Sequence, residues 1–232
     1  MSMPFSWLDM LAVSIFWGSW IFYGYAVEHW RGADRSLNLR MNRYRMIWME
    51  RSLAREQRVV DASIMATLQS GASFFASTTL IAMGGALAFL RSTDDVLRMV
   101  SDLPLSQAPT RLAWEIKIIG LAAIFGYAFF KFAWSYRLFN YSAILLGAMP
   151  PPDSGPAGLR HAHRVGAMNI AAGNHFNRGQ RSIFFALAYL GWFMGPLALL
   201  GTTGLVLWSM WVRQFRSDAR TSILDDDEPE TS

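Results

Sequence analysis

Of 232 residues, 53% are hydrophobic and 16% charged. An ordinary soluble domain carries about a quarter charged residues, so this balance argues for lipid as much of the solvent. The absence of cysteine excludes disulfide staples, thiolate metal sites and cysteine nucleophiles. A net charge of +4 would suit nucleic acid, but the basic residues lie beside apolar runs, where they set topology and meet anionic phospholipid at the cytoplasmic face. No nucleic-acid partner is expected.

The first apolar run is expected to span the bilayer over 7–27. Gly24-Tyr25-Ala26 imitates a signal cleavage site, yet no Lys or Arg precedes the run, so it reads as a permanent helix. The following segment is too charged to span: it carries Arg31, Arg35, Arg40, Arg43, Arg45, Arg51, Arg55 and Arg58. Between them Tyr44, Ile47, Trp48 and Leu53 recur at helical spacing. This predicts an amphipathic helix over about 34–60 lying on the cytoplasmic interface, with Trp30 and Trp48 at headgroup level.

The second span, 62–90, is charge-free but polar along its length. Ser70, Ser73 and Ser77 lie near one stripe, with Thr67, Gly84 and Gly85 on the same helix. Small and hydroxyl residues in a spanning helix serve close helix packing; the alternative is the wall of a polar path. The outer loop 91–111, with Pro104 and Pro109, is a turn-rich connection.

The third span, 112–137, holds Lys117 and Lys131. Fourteen residues apart, they point within about 40° of each other at 100° per residue. Either each ammonium group snorkels to its own interface, or the two mark an anion path. Arg137 and Asn140 close its cytoplasmic end, suited to lipid phosphate or to the inner helices. Pro150-Pro151-Pro152 stops the helix, and 159–176 is read as a second short amphipathic helix. Its His161 and His163 diverge on a helix and, with His175, meet no nearby carboxylate, so no metal site is expected.

The fourth span, 182–212, contains Gly195-Pro196, read as a mid-membrane kink and a hinge. Residues 225–232 form an acidic tail expected to be disordered. The Lys/Arg bias places both arginine-rich connections in the cytoplasm and both termini outside, although Arg213, Arg216 and Arg220 run against that for the C-terminus. Trp7, Trp114 and Trp211 would then lie at the outer interface. The expected fold is an all-α membrane protein of four transmembrane helices with two cytoplasmic amphipathic helices, the bundle filling 1–224.

The chain offers no nucleophile–base set, paired intramembrane carboxylates, phosphate loop or HExxH pattern. The expectation is therefore a non-enzyme without cofactor or metal. Most of its length resembles a known family through Asn42-Arg43-Tyr44-Arg45, Trp48-Met49, Arg58-Val59-Val60-Asp61, Ser73 to Thr79, Phe129 to Phe132, Arg137 to Tyr141, Gly179-Gln180-Arg181 and Gly195-Pro196. It is similar to the membrane proteins of bacteria and plants known as domain of unknown function five-nine-nine. That resemblance implies a four-span bacterial inner-membrane protein without a cytoplasmic catalytic domain. It brings no substrate or cofactor, but places Asp61, Ser77, Arg137 and Asn140 in recognisable motifs. If the second and third spans are neighbours, an Asp61–Arg137 pair would fix their inner ends; otherwise Asp61 caps its own helix. Two functions remain open: an accessory component that forms a homo-oligomer or docks in a membrane complex, and a channel or transporter for a small, anionic solute lined by Ser70, Ser73, Ser77, Lys117 and Lys131.

Overall fold

The computed structural model describes residues 5–29, 37–94 and 110–215. The acidic tail, residues 95–109 of the outer loop, Trp30 and the first residues of the expected interfacial helix lie outside the described residues. Among the described residues the helices run in the order α1 (Trp7–His29), α2 (Leu37–Leu53), α3 (Val59–Ala88), α4 (Arg111–Gly147), α5 (Gly155–Met194) and α6 (Pro196–Phe215). Among the described residues, Trp7–Val27, Val59–Ala88 and Arg111–Gly147 are long and apolar enough to cross a membrane.

Local chemistry sets the helix ends. Ser6 and Asp9 form a capping box on α1: the Asp9 amide donates to Ser6 Oγ (3.2 Å) and the Ser6 amide to Asp9 Oδ2 (3.1 Å). Thr110 caps α4 by accepting from the Ala113 amide at 3.2 Å. The prolines at 150–152 hold α4 to its end at Gly147, ten residues beyond the expected limit of the third span.

α4 and α5 form a long antiparallel hairpin. Lys117 and Gly120 meet Trp192 and Tyr189 at one end; Ser142 and Leu145 meet Val165 and His161 toward the other. With 37 and 40 residues, the two helices run about 55 and 60 Å, against about 30 Å of hydrocarbon. They therefore outreach a bilayer by about 25 Å. α3 lies antiparallel to α4, with Phe75 stacked on Phe132 at 5.2 Å and Met83 beside Gly126.

The core divides along this hairpin. At one end Phe16, Ile124, Phe185, Tyr189 and Leu199 are buried together. At the other, Met49, Met65, Phe139, Val165 and Ala172 close a second cluster. α2 belongs to that second cluster. It runs antiparallel to α5, with Asn42 on Asn174 (3.2 Å), Glu50 on His163 (2.7 Å) and Leu53 against Gly158. The helix expected to lie on a membrane surface is thus the fourth member of a bundle with the ends of α3, α4 and α5. Trp48, expected at headgroup level, donates instead to Asp61. The expected short helix 159–176 is the first half of the continuous α5.

The largest departure is at the fourth span. Gly195 takes φ 133 and ψ 171, a backbone region open to glycine, and Pro196 starts a new helix. The chain does not kink; it reverses. Thr202 Oγ1 donates to the Ala188 carbonyl at 2.7 Å, although fourteen residues of one helix would separate them by about 21 Å. Farther along, the Arg213 guanidinium covers the Phe184 ring at 5.2 Å. α1 is likewise antiparallel to α5, with Asp9 at Trp192 and Trp20 stacked on Phe185. The far end of α6, Trp211 included, therefore points the same way as the far end of α1.

Candidate functional site

The residues proposed for a shared path go to three places. Ser70, Ser73 and Ser77 are exposed on the side of α3 turned away from α4. Thr67 and Thr78 on that helix return their hydroxyls to the Ser63 and Phe74 carbonyls, at 3.1 and 2.9 Å. Such back-bonding satisfies the polar groups internally and leaves the small residues on a face they share with the exposed Phe74 and Ile81. Gly84 and Gly85 continue the exposed side, with nothing within 4 Å of where a Cβ would sit.

Lys117 is buried. Its ammonium donates to the Trp192 carbonyl at 2.7 Å and lies 5.1 Å from the Trp192 ring centre. Trp192 sits in the last turn of α5, so the lysine meets a carbonyl at the negative end of that helix, one that also accepts from the Gly195 amide at 3.1 Å. The same indole donates to Asp9 Oδ1 at 2.9 Å, tying α1, α4 and α5 at one end of the bundle. Lys131 stands half-buried over the Tyr127 ring at 5.0 Å. The two lysines do not meet the serines.

The expected Asp61–Arg137 pair gives way to another. Asp61 is completely buried and accepts from Trp48 Nε1 (2.7 Å), Ser52 Oγ (3.1 Å) and the Arg55 guanidinium. Beside it, Arg58 donates to the Ser52 and Pro150 carbonyls at 3.0 and 3.1 Å, joining the α2–α3 turn to the α4–α5 connection. Arg137 is exposed, donates to the Tyr141 hydroxyl at 2.7 Å, and stacks on Trp134 and Tyr141. Asn140 is half-buried on the same helix.

One polar cluster has no forewarning in the sequence. Arg45 donates to the Asn169 side chain, packs against Gly173 at 3.1 Å from its Cβ position, and lies 5.8 Å over the Phe139 ring. Burial holds this guanidinium below its ordinary pKa. Asn169 is fully buried and completes its bonding with the Met65 sulfur at 3.4 Å. Asn169→Leu should lower stability by about 2 kcal/mol, because a half-buried cation loses its acceptor. Arg45→Met in that background should recover most of the loss. A double-mutant cycle on unfolding midpoints in detergent would measure the coupling, and additive losses would refute it.

His161 meets the Leu145 carbonyl at 2.8 Å, whereas His163 meets the Glu50 carboxylate at 2.7 Å, a partner the sequence does not place beside it because α2 brings it from more than a hundred residues away. Among the described residues, no three His, Cys, Asp or Glu side chains converge as metal ligands. No curated protein and no solved structure matches the chain. The family model described as "Protein of unknown function, DUF599" matches residues 11–219, nearly the whole of the helical body, and the chain belongs to that family.

Proposed function

We propose that this chain is a non-catalytic assembly component of the bacterial inner membrane, which self-associates through the outward face of α3. The observation that carries the reading is the exposure of Ser70, Ser73, Ser77 and Gly84 on a helix that bears no charge beyond Asp61. Their low bulk leaves notches beside the exposed Phe74 and Ile81 into which a second helix can pack, which is how spanning helices associate without a hydrophobic gradient. The second copy is the occupant this face suits.

In this reading the bundle crosses the bilayer five times. α1, α3, α4 and α6 cross, and α5 crosses with its C-terminal part; the bundle containing α2 projects into the cytoplasm. The reversal at Gly195 supports bringing the C-terminal Arg213, Arg216 and Arg220 to the side of the other arginine-rich connections. The N-terminus is then periplasmic and the C-terminus cytoplasmic, and all three basic segments obey the positive-inside bias.

Ser73→Cys supplies the test, since the chain has no other cysteine. In native membranes it should give a crosslinked dimer under mild oxidation, and Ser73→Leu should weaken self-association at least tenfold by light scattering. A monomer at all concentrations, with no crosslink, would remove the reading. The serine-rich face also allows a polar route along an oligomer axis; solute flux in liposomes that Ser73→Leu abolishes would favour that second reading over a purely structural one.

A further inference from the structure

A groove of about 610 Å³ opens on the side of the molecule between α1, α4 and α5. Its wall is aromatic: Trp17 and Trp20 stack at 5.1 Å, and Tyr127 meets Trp20 edge-on at 5.6 Å. Its volume lies within the roughly 300–1,000 Å³ of small-ligand sites. Gly24 forms part of the floor, with nothing within 4 Å of where a Cβ would sit. At one end stand Arg178 and Arg181, and among the described lining residues none is acidic.

The depth of those arginines decides the chemistry. Arg181 lies thirteen residues before the end of α5 at Met194 and Arg178 sixteen, so about 20 and 24 Å along the helix. In a hydrocarbon layer of about 30 Å, counted from the Met194 end, that is the far third, where guanidinium groups reach for phosphate. The groove above them is apolar and open toward the lipid. A cationic end near a headgroup layer, continued by an aromatic trough, is complementary to an amphiphile with an anionic head and a hydrocarbon tail.

We propose that this groove binds one anionic phospholipid from the cytoplasmic leaflet. Its phosphate meets Arg178 and Arg181, and one acyl chain lies along Trp20 toward Trp17. Guanidinium groups can bind phosphate in bidentate geometry alongside other protein contacts, which suits arginine here better than lysine. The Arg-bearing end is assigned to the cytoplasmic leaflet by the proposed topology. The site itself does not depend on self-association, because α3 contributes nothing to it.

Native mass spectrometry of the full-length, detergent-solubilised protein tests the site, with phosphatidylglycerol and phosphatidylcholine added in turn. One phosphatidylglycerol should be retained per chain, at least tenfold more tightly than phosphatidylcholine. Arg178→Gln with Arg181→Gln should weaken phosphatidylglycerol about tenfold or more. Gly24→Leu should do the same by filling the trough while leaving both charges in place, so it carries the test alone if the double variant does not fold. Equal retention of the two lipids, or phosphatidylglycerol binding unchanged by Gly24→Leu, overturns the proposal. Full displacement by inorganic phosphate would also overturn it, since that identifies a free-anion site. A strictly monomeric protein that still binds the lipid would remove the assembly reading and leave this one standing.

Discussion

A single cysteine replacing Ser222 is expected to be labelled in intact cells by a membrane-permeant maleimide and protected from an impermeant one. A cysteine at Ser2 should be labelled by both reagents. The contrast should be close to all-or-none, because a bilayer either separates a thiol from the reagent or does not. The expectation follows from one residue's backbone. With Gly195 at φ 133, the twenty residues of α6 return alongside α5 instead of extending it. A continuous, kinked helix would carry Arg213 away from Phe184, whereas the two are 5.2 Å apart. Cysteines replacing Ala188 and Thr202 should likewise be joined by a short bifunctional thiol reagent, since the Thr202 hydroxyl reaches the Ala188 carbonyl. Labelling of Ser222→Cys from outside, with no 188–202 crosslink, would restore a single fourth span.

That hairpin shows where the sequence stops being legible. The apolar runs are readable because twenty or more uncharged residues in succession have few structural alternatives. Gly195-Pro196 is visible too, yet a Gly-Pro step inside such a run signals a break without saying by how much the chain turns. The C-terminal arginines carry a hint in the sequence: by the positive-inside bias they run against a fourth crossing that ends outside and suit a return. α2 misleads for a different reason. Its arginines look solvated by count, but Arg45 is satisfied by Asn169, Gly173 and Phe139, which lie more than ninety residues away and carry no opposite charge. Charge pattern alone cannot find a cation whose partners are neutral. The serine stripe on α3 is legible as a stripe; which side it faces depends on the packing of α4 against the other side. Lys117 is found easily as a charge in a span, but its acceptor is a main-chain carbonyl seventy-five residues on, and main-chain groups leave no trace in residue type.

Asp61→Ala should produce the largest loss of stability of any single substitution considered, on the order of 3 kcal/mol. The carboxylate is fully buried at the third residue of α3, where the helix dipole favours negative charge. It is the common acceptor for an indole, a hydroxyl and a guanidinium, so alanine leaves three donors without it. The donors come from Trp48 and Ser52, one turn apart near the end of α2, and from Arg55 in the turn that follows, so their spacings of four and three keep a helical phase in sequence. That phase is the signal through which the network could have been found, in place of a partner seventy-six residues away. Arg55 keeps 44% of its side chain exposed and can regain water, so Trp48 and Ser52 carry most of the cost. Asp61→Asn keeps one oxygen acceptor and should cost about half as much. Arg137→Ala supplies the contrast: its exposed contacts with Trp134 and Tyr141 should contribute less than about 1 kcal/mol. Thermal unfolding midpoints in detergent, read beside a chemical denaturation series, would rank the three. A large loss for Arg137→Ala with a loss under about 0.5 kcal/mol for Asp61→Ala would mean that the bundle's inner end is held by α4 and not by the α2–α3 turn.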